Sequence, residues 1–391
     1  MSNGRVITLG CRMNLAESER IAALVAGTPD LVVVNSCAVT AEAARQTRQA
    51  IRRARRDSPS ARLLVTGCAA EIERDVIAAM PEVDGIVANA AKLDPRAWNV
   101  AAPADPVRLR HSRAFIAVQN GCDHACTFCV IPQGRGPARS EPVAAVLAAV
   151  ERDLAAGARE VVLTGVDLTA WGSDLPARLR LGSLVAAVLA AFPELPRLRL
   201  SSVDGIEVDA QLEDLIASEP RVMPHLHLSL QHGHDLILKR MKRRHTMADA
   251  VDLVARLRAR RPELAVGADL IAGFPTEDVA MHAANLAAIR DLRIVHGHIF
   301  PYSPRGGTAA ARMPQVLPAL VRARAAELRE GVAAERDAWL SSLIGLRLQV
   351  LAERDGTGHA ECFARVLLPS GTQPGTIVTV TPTRQIDGML Q

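Results

Sequence analysis

The sequence predicts a multidomain α/β protein that ends in a small all-β module. The chain has 391 residues, which is long enough for two or three ordinary domains. Hydrophobic residues make up 49% of it, so large cores can be buried and global disorder is excluded. Two successive series of short apolar strands alternate with helices, and this pattern predicts parallel sheets covered by helices.

The first alternation occupies residues 1–100, which we expect to form one α/β domain. The predicted strands are 6–9, 31–34, 63–66 and 85–88, and the predicted helices are 14–26, 41–56 and 71–80. The segment 101–106, which reads Ala-Ala-Pro-Ala-Asp-Pro, is predicted to be a linker.

The second alternation is longer and is predicted to span residues 108–343. Its predicted strands are 114–119, 160–164, 198–202, 225–230, 265–271 and 295–300, and its predicted helices include 143–156, 181–192, 247–260 and 318–343. Six βα units favour a full or partial barrel, a partial (βα)6 barrel above all, whose active site lies at the carboxyl ends of its strands. A doubly wound open sheet is the alternative.

Residues 344–391 differ from the rest of the chain in their predicted secondary structure. Short β runs at 347–352, 359–367 and 376–381 are separated by Asp-Gly and Ser-Gly turns. This pattern predicts a small all-β barrel that either binds RNA through a basic face or caps the preceding domain.

Composition excludes several classes of protein. No stretch reaches the roughly 20 apolar residues of a membrane span, and the amino terminus lacks a secretory signal, so we expect a cytoplasmic protein. Aromatic residues are 3% of the chain, with a single tyrosine, which weighs against reading single strands by ring stacking. Seven cysteines in such a protein indicate metal or redox chemistry.

Three of these cysteines, Cys122, Cys126 and Cys129, form a C-x3-C-x2-C pattern after the first predicted barrel strand. Three thiolates on one loop match a 4Fe–4S cube and leave its fourth iron without a protein ligand. An open iron is a place for a cofactor or substrate to bind, as the open position of a catalytic zinc is. The alternatives are a zinc site, for which His124 is the nearest further ligand, and three unconnected buried thiols.

Cys11, Cys37 and Cys68 each lie just beyond a predicted strand of the first domain. The carboxyl ends of parallel strands meet at one edge of a sheet, so these thiols are expected to converge. Three converging thiolates predict a second cluster with one free iron. The alternative is that each is a small buried residue near a turn.

The loop with Cys122, Cys126 and Cys129 resembles the cluster motif of the radical S-adenosylmethionine (SAM) superfamily. There the open iron binds the amino and carboxylate groups of SAM, and an electron from the cluster releases a 5′-deoxyadenosyl radical. The cofactor performs the chemistry of that step, and the protein positions the cofactor. The central domain is thereby expected to be a barrel of radical-SAM type.

Both cysteine triplets together resemble the methylthiotransferases of that superfamily. The resemblance covers nearly the whole chain and implies a methylthiotransferase domain at 1–100, a radical SAM core at 108–343 and an RNA-binding, TRAM-like barrel at 344–391. It implies a transferase that uses two 4Fe–4S clusters and SAM, in which the second cluster carries or donates sulfur. Cys122, Cys126 and Cys129 would then be catalytic, and all six cysteines metal ligands.

Four segments are most similar to the branch that modifies C2 of N6-threonylcarbamoyladenosine at position 37 of ANN-decoding tRNAs. They are TLGCRMN at 8–14, RGPARS at 135–140, HIFPYSP at 298–304 and GTAA at 307–310. The implied partners are a tRNA anticodon stem-loop and an external electron donor, with no membrane. The alternatives are isopentenyladenosine 37, a ribosomal-protein aspartate, or a non-catalytic RNA-binding iron–sulfur protein.

Further residues are predicted near the chemistry. Polar or small residues at strand ends are expected to contact the cofactor, although such residues are often only caps: Gly165, Ser201, Asp204 and Gln231. The Gly-Phe-Pro turn at 273–275 is expected to border the adenine. Arg135 and Arg139 are expected to meet the carboxylate of the substrate. Cys362 is interpreted as a structural thiol.

Two basic clusters are predicted to meet tRNA phosphates, although charge runs are usually only solvated faces. One is the segment 239–245, KRMKRRH. The other lies on the predicted helix 41–56 and comprises five arginines: Arg45, Arg48, Arg52, Arg55 and Arg56.

Overall fold

The computed structural model describes residues 4–100 and 112–391 and confirms the predicted α/β class. The described part contains three units: a parallel sheet with helices, a curled half-barrel, and a small sheet at the carboxyl end. The predicted linker 101–106 lies outside the described residues.

The amino-terminal sheet has four parallel strands in the order β1-β2-β3-β4. In chain order its elements are β1 (Arg5–Thr8), α1 (Arg12–Val25), β2 (Leu31–Ser36), α2 (Ala41–Asp57), β3 (Arg62–Gly67), α3 (Cys68–Ile72), α4 (Arg74–Ala78) and β4 (Gly85–Ile86). The central strand β2 is buried along its whole length, as expected for a strand covered on both faces. Thr40 begins α2 by accepting a hydrogen bond from the Ala43 amide.

The predicted helix 71–80 is wrong in its bounds. Helix α3 begins at Cys68, directly after Gly67, and the helical path breaks at Glu73 before α4 starts. The carboxylate of Glu73 lies 2.6 Å from Arg48 Nη1 and 3.2 Å from Arg305 Nη2. These long-range ion pairs hold Glu73 at the break, and local helix propensity cannot anticipate them.

The central unit is a half-barrel, in which two four-stranded sheets run in nearly sequential order, β6-β5-β7-β8 and β9-β10-β11-β12. Its strands are β5 (Arg113–Asn120), β6 (Arg139–Ser140), β7 (Glu160–Gly165), β8 (Arg197–Leu200), β9 (Ser202–Val203), β10 (His225–Gln231), β11 (Ala265–Ala272) and β12 (Ile294–Pro301). The order does not reverse as it does in a doubly wound sheet. The predicted strand 198–202 is interrupted at Ser201, which separates β8 from β9.

Helices cover the outside of the half-barrel. They are α5 (Ile131–Arg135), α6 (Val143–Ala155), α7 (Leu181–Ala191), α8 (Ala210–Ser218), α9 (Asp235–Arg240), α10 (Met247–Arg260), α11 (Val279–Asp291) and α12 (Pro318–Ser342). One continuous apolar core joins α6, α7, α8, α10, α11 and α12 to the strands, whereas α9 packs in a smaller apolar cluster with Phe274. The bounds of α10 agree with the prediction because Thr246 and Asp249 form a reciprocal capping box at its start.

The carboxyl-terminal unit is a six-stranded sheet in the order β16-β13-β14-β15-β18-β17. Its strands are β13 (Leu348–Ala352), β14 (Thr357–Ala360), β15 (Arg365–Leu367), β16 (Ile377–Val380), β17 (Gln385–Ile386) and β18 (Met389–Leu390). The single strand predicted at 359–367 is wrong, since a turn at 361–364 separates β14 from the antiparallel β15. Phe363 in that turn has a left-handed φ of 72°.

This small unit shares its core with the half-barrel. Ala265 of β11, Val295 of β12 and Leu340 of α12 are buried in the same apolar cluster as its strands. In the described part of the chain, no helix is both long and apolar enough to cross a membrane.

Candidate active site

A cavity of about 260 Å³ opens at the carboxyl ends of the half-barrel strands. Cys122, Cys126 and Cys129 line one side of it, on the loop between β5 and α5. The remaining lining comes from later strands and loops and is partly apolar; its polar members include Asp167, Asp204, Gln231 and Asp269. This is the location at which barrels of parallel strands place their chemistry.

Each of the three thiols in this cavity has one N–H donor nearby. The backbone amide of His124 donates to Cys122 Sγ at 3.4 Å, and that of Ile131 donates to Cys129 Sγ at 3.4 Å. Arg243 Nη1 lies 3.9 Å from Cys126 Sγ. Because such donors stabilise thiolate charge, the loop is suited to hold an anionic cluster.

Burial raises the pKa of Cys122 to about 12 and that of Cys129 to about 11. Without a metal, these thiols are therefore protonated at neutral pH. A metal centre that binds here must displace their protons, as is usual for thiolate ligands.

Gly121 allows the cysteine loop to leave β5 at a sharp angle. Its φ is +72°, and a Cβ at this position would lie 1.9 Å from the carbonyl oxygen of Pro137. Only glycine accommodates both the left-handed backbone and this close approach.

His124 does not complete a zinc site with the three cysteines. Its Nε2 lies 2.7 Å from Asp167 Oδ2, and this hydrogen bond raises the pKa of His124. In residues 4–100 and 112–391, the one metal-capable group that joins His124 to a cysteine contains Cys122 and Asp167, without Cys126 or Cys129. The zinc alternative therefore lacks an assembled four-ligand set.

The structure brings Cys11, Cys37 and Cys68 together at the carboxyl edge of the amino-terminal sheet. A Cβ on Gly10 would lie 2.6 Å from Cys37 Sγ. Burial raises the pKa of Cys37, and the nearby thiols of Cys11 and Cys68 raise it further. Cys37 and Cys68 are buried, whereas Cys11 is exposed.

The two cysteine triplets are neighbours across the interface between the sheet and the half-barrel. Helix α3, which begins at Cys68, packs against α5, which follows the loop of Cys129. A Cβ on Gly134 would lie 3.2 Å from the Cβ of Cys68. The sequence places each triplet at a strand end, but only the packing of α3 on α5 places the triplets side by side.

The four predicted cofactor contacts divide into two pairs. Asp204 and Gln231 line the cavity. Gly165 and Ser201 do not, although their neighbours Val166 and Ser202 do. Gly165 packs against Gln119 instead, and the buried hydroxyl of Ser201 has no hydrogen-bond partner among the described residues.

None of the residues 273–275 lines the cavity; Ile271, two positions before the turn, does. Gly273 itself has a φ of +71°, and its Cα faces Val321 of α12.

The prediction that Arg135 meets a substrate carboxylate is wrong. Its guanidinium is almost fully buried and donates to Glu17, Asn14 and Asn120. The sequence cannot reveal this because Glu17 lies 118 positions away along the chain. Arg139 is exposed and remains only a prediction as a substrate contact.

Sequence reasoning missed a histidine–aspartate group on the inner face of β10–β12. His227 Nε2 and His298 Nδ1 each lie 3.0 Å from Asp269 Oδ1. Burial alone would raise the pKa of Asp269, but hydrogen bonds from both histidines lower it well below its usual value. The alternation of His225 with His227 and of His296 with His298 was the available signal, since alternate residues share one face of a strand.

The two basic clusters are largely paired within the molecule. Arg243 bonds Asp204, Arg244 bonds Glu207, and His245 is buried next to Asp204. On α2, Arg45 pairs with Glu42 and Arg55 with Asp84. Such internal pairs leave less of the positive charge for phosphates than the sequence alone indicates.

Three thiols on the loop after the first strand of a parallel half-barrel are the arrangement expected of a radical SAM enzyme. A comparison with family models agrees, because residues 116–286 match the Radical SAM superfamily and residues 4–88 match "Uncharacterized protein family UPF0004".

Relatives whose names state an activity show to which family within this superfamily the chain belongs. The chain is 42% identical to threonylcarbamoyladenosine tRNA methylthiotransferase MtaB of Rickettsia prowazekii, over 93% of this chain and 90% of the relative. It is 32% identical to the MtaB protein of Thermotoga maritima, over 90% of this chain and 87% of the relative. A tRNA-2-methylthio-N(6)-dimethylallyladenosine synthase of Erythrobacter litoralis is also 32% identical, over 90% of this chain and 86% of the relative. The chain therefore belongs to the radical SAM methylthiotransferase family, whose enzymes use SAM and two 4Fe–4S clusters.

A solved structure shares the overall fold. The radical SAM methyltransferase TsrM of Kitasatospora setae aligns with a TM-score of 0.54 at 16% identity, over 78% of this chain and 77% of that chain. This similarity supports the architecture alone.

Proposed function

We propose that this protein transfers a methylthio group to C2 of N6-threonylcarbamoyladenosine at position 37 of tRNAs that decode ANN codons. The 42% identical relative bears the name of that activity. The observation that carries the proposal is the juxtaposition of two cysteine triplets where α3 packs on α5. A cluster site for SAM alone would support radical chemistry but would leave the sulfur of the methylthio group without a source.

We assign Cys122, Cys126 and Cys129 as ligands of the catalytic cluster and Cys11, Cys37 and Cys68 as ligands of the second cluster. The N–H donors at the first triplet and the mutual proximity of the second support this assignment. When bound, the first cluster and SAM supply the radical chemistry, and the second cluster supplies the sulfur.

We assign other side chains of the cavity to positioning the strands and the cofactor, and not to the reaction itself. Arg243 donates to Asp204 at 2.9 Å and to the Ser229 carbonyl at 2.9 Å, so it holds the carboxyl ends of β9 and β10 together. We infer that Asp204 and Gln231 contact the cofactor, because both line the cavity beside the cysteine loop. Gly165 and Ser201 would act indirectly, by positioning their chain neighbours Val166 and Ser202, which line the cavity.

The amino-terminal domain closes one side of the cavity. Val39 and Thr40, which follow Cys37, line it together with Ser303. The Ala41 amide donates to the Ser303 hydroxyl at 3.0 Å. Exclusion of water by this contact would protect a radical from side reactions.

We also propose the domain bounds 1–100, 108–343 and 344–391. The first two ranges are supported by apolar clusters that lie wholly within them, whereas the core of the third range also includes Ala265, Val295 and Leu340 of the second. The substrate would be the anticodon stem-loop of tRNA, bound in the cytoplasm, and an external donor would supply electrons. Relatives named as tRNA-modifying enzymes support the RNA partner.

The substrate is tested in a bacterial strain that lacks its own threonylcarbamoyladenosine methylthiotransferase. Expression of this chain should restore the methylthio nucleoside in digested tRNA, measured by mass spectrometry. Restoration of the isopentenyl analogue alone would reassign the substrate to the branch of the Erythrobacter litoralis relative. A methylthio group found only on a ribosomal-protein aspartate would remove tRNA from the proposal.

The cysteine assignment is tested with Cys37→Ala and the matched control Cys362→Ala. Both thiols are buried, but Cys362 packs in the core of the carboxyl-terminal sheet. After anaerobic reconstitution, Cys37→Ala should hold about four iron atoms per chain and Cys362→Ala about eight. Equal iron in both variants contradicts the assignment.

The class of protein is tested by reduction. Dithionite-reduced protein should cleave SAM to 5′-deoxyadenosine, whereas a non-catalytic iron–sulfur RNA-binding protein would leave SAM intact.

A further inference from the structure

Three ionisable side chains are buried together next to the second cysteine triplet, Cys11, Cys37 and Cys68, where the amino-terminal domain meets α5. They are Glu17 of α1, Lys92 of the segment after β4, and Arg135 at the end of α5, and each is less than a tenth exposed. Lys92 Nζ lies 2.5 Å from Glu17 Oε2, and Arg135 Nη1 lies 2.8 Å from Glu17 Oε1. We name this group the buried charge triad.

With Lys92 and Arg135 both protonated, the triad holds two cations and one carboxylate and keeps one unpaired positive charge. Burial lowers the pKa of Lys92, and the carboxylate of Glu17 opposes that effect. The other side-chain partners of its two cations are neutral: Arg135 donates to the side-chain oxygens of Asn14 and Asn120, and Lys92 lies 3.4 Å from Asn35 Oδ1. A buried charge without a partner is strongly unfavourable because it loses its hydration.

The ionisable groups that face this surplus charge are thiols of the second triplet. Glu17 raises the pKa of Arg135 against the effect of burial, and the thiols of Cys68 and Cys11 raise it further. Burial raises the pKa of Cys68, and the charges of Arg135 and Lys92 oppose that effect.

The geometry agrees, because Arg135 directly follows Gly134, where an added Cβ would lie 3.2 Å from the Cβ of Cys68. Asn14, which accepts from Arg135, also donates to the carbonyl of Ser36 at 2.9 Å, next to Cys37.

A 4Fe–4S cube held by three thiolates is a net anion, and its negative charge grows by one on reduction. The surplus positive charge and such an anion neutralise each other. We propose that the buried charge triad is the counter-charge of the second cluster, which holds that cluster in the domain interface and raises its reduction potential. This inference rests on the proposed ligand role of Cys11, Cys37 and Cys68.

The triad also connects the two cluster sites mechanically. Glu17 and Lys92 belong to the amino-terminal domain, whereas Arg135 follows the loop that carries Cys122, Cys126 and Cys129. Asn89 Nδ2 donates to the Gly134 carbonyl at 2.6 Å and adds a second bond across the same interface. Arg135 therefore connects the loop of Cys122, Cys126 and Cys129 to the amino-terminal domain through Glu17 and Asn14.

The test uses the full chain with Cys122, Cys126 and Cys129 replaced by alanine, so that only the second cluster forms. Its midpoint potential is measured by a redox titration followed by EPR. Lys92→Met removes a buried positive charge and should shift the potential to a more negative value. Glu17→Gln removes the negative charge and should shift it in the opposite direction.

Two controls separate charge from shape. Lys92→Arg keeps the charge and should stay close to the parent potential, whereas Arg53→Met removes an exposed cation of α2 and should change nothing. If Glu17→Gln does not fold, Lys92→Met against Lys92→Arg decides alone, because charge is the main difference between them. Loss of iron in Lys92→Met but not in Lys92→Arg also supports the counter-charge role.

Unchanged potentials in both charge variants, or shifts of the same sign, would overturn the inference while leaving the proposed function intact. Equal loss of iron in Lys92→Met and Lys92→Arg would show a role of shape and overturn it as well. If the parent protein without Cys122, Cys126 and Cys129 bound no cluster, the proposed ligand assignment would fail instead.

Discussion

At the scale of single residues, burial decides what an ionisable group can do. His296 on β12 is partly buried against Trp339, His225 and Phe363, and its Nε2 has no hydrogen-bond partner among the described residues. Desolvation lowers its pKa to about 3, helped by the charge of Arg336. It is therefore neutral in the folded protein at any physiological pH. Burial of Cys122 and Cys129 instead raises the pKa of their thiols, which keeps them protonated until a metal binds.

His296 should make the protein sensitive to acid. Its pKa rises from about 3 when folded to about 6.5 when unfolded. The unfolded state therefore binds the additional proton as the pH falls below about 6.5, and stability is lost. Between pH 7.5 and 5.5 this one histidine should cost on the order of 1 kcal/mol.

The replacement His296→Phe should remove that part of the loss. Urea unfolding midpoints of the two proteins, compared at pH 7.5 and 5.5, measure it. An equal fall for wild type and variant would show that His296 does not titrate on unfolding; the remaining buried His225 should preserve a smaller fall in the variant.

At the scale of secondary-structure elements, the turns after the parallel strands place the ligands. Strands and long helices were predictable because their apolar periodicity is local, as the agreement for α10 and α12 illustrates. The short helices α3 and α4 were not, because the break at Glu73 is held by Arg48 and Arg305, which are distant in sequence. The paired strands β17 and β18 of two residues each gave no periodic signal.

Gly67 connects β3 to α3 and should be required for the second cluster. Its φ is +95°, and a Cβ there would lie 2.5 Å from the Ser36 carbonyl oxygen and 2.6 Å from its amide nitrogen. Gly67→Ala must therefore shift the neighbouring Cys68 out of the triplet. We expect reconstituted iron to fall by about half, to about four atoms per chain.

Gly27 is the matched control, because a Cβ added at this position would meet no atom within 4 Å. Gly27→Ala should keep the full iron content. Full iron in Gly67→Ala would mean that the turn after β3 tolerates a side chain and that Cys68 does not depend on its geometry.

At the scale of the whole molecule, buried charges tie the carboxyl-terminal sheet to the half-barrel. Glu160 at the start of β7 lies 3.0 Å from Arg199 Nε and 3.8 Å from Arg197 Nη1. The same two arginines donate to the carbonyls of Glu361 and His359 in the carboxyl-terminal unit. One carboxylate thus pairs with two of the cations that join the two units.

Glu160→Gln should destabilise the molecule strongly, because it leaves two buried guanidinium groups without their carboxylate. The expected loss is about 3–5 kcal/mol, read from the urea unfolding midpoint. Glu213→Gln breaks an exposed pair with Arg256 and should cost less than about 1 kcal/mol. A similar small loss in both variants would contradict the role of Glu160.

The sequence by itself determined the α/β class, the half-barrel and the two sets of cysteines, because apolar periodicity and motif spacing are local properties of the chain. Only the tertiary structure decided that the two triplets adjoin, that Arg135 is buried against Glu17 and Lys92, and that His227, Asp269 and His298 share one face. Those relations join residues from different elements. They depend on how helices and sheets pack, which side-chain shape and charge settle only in the folded molecule.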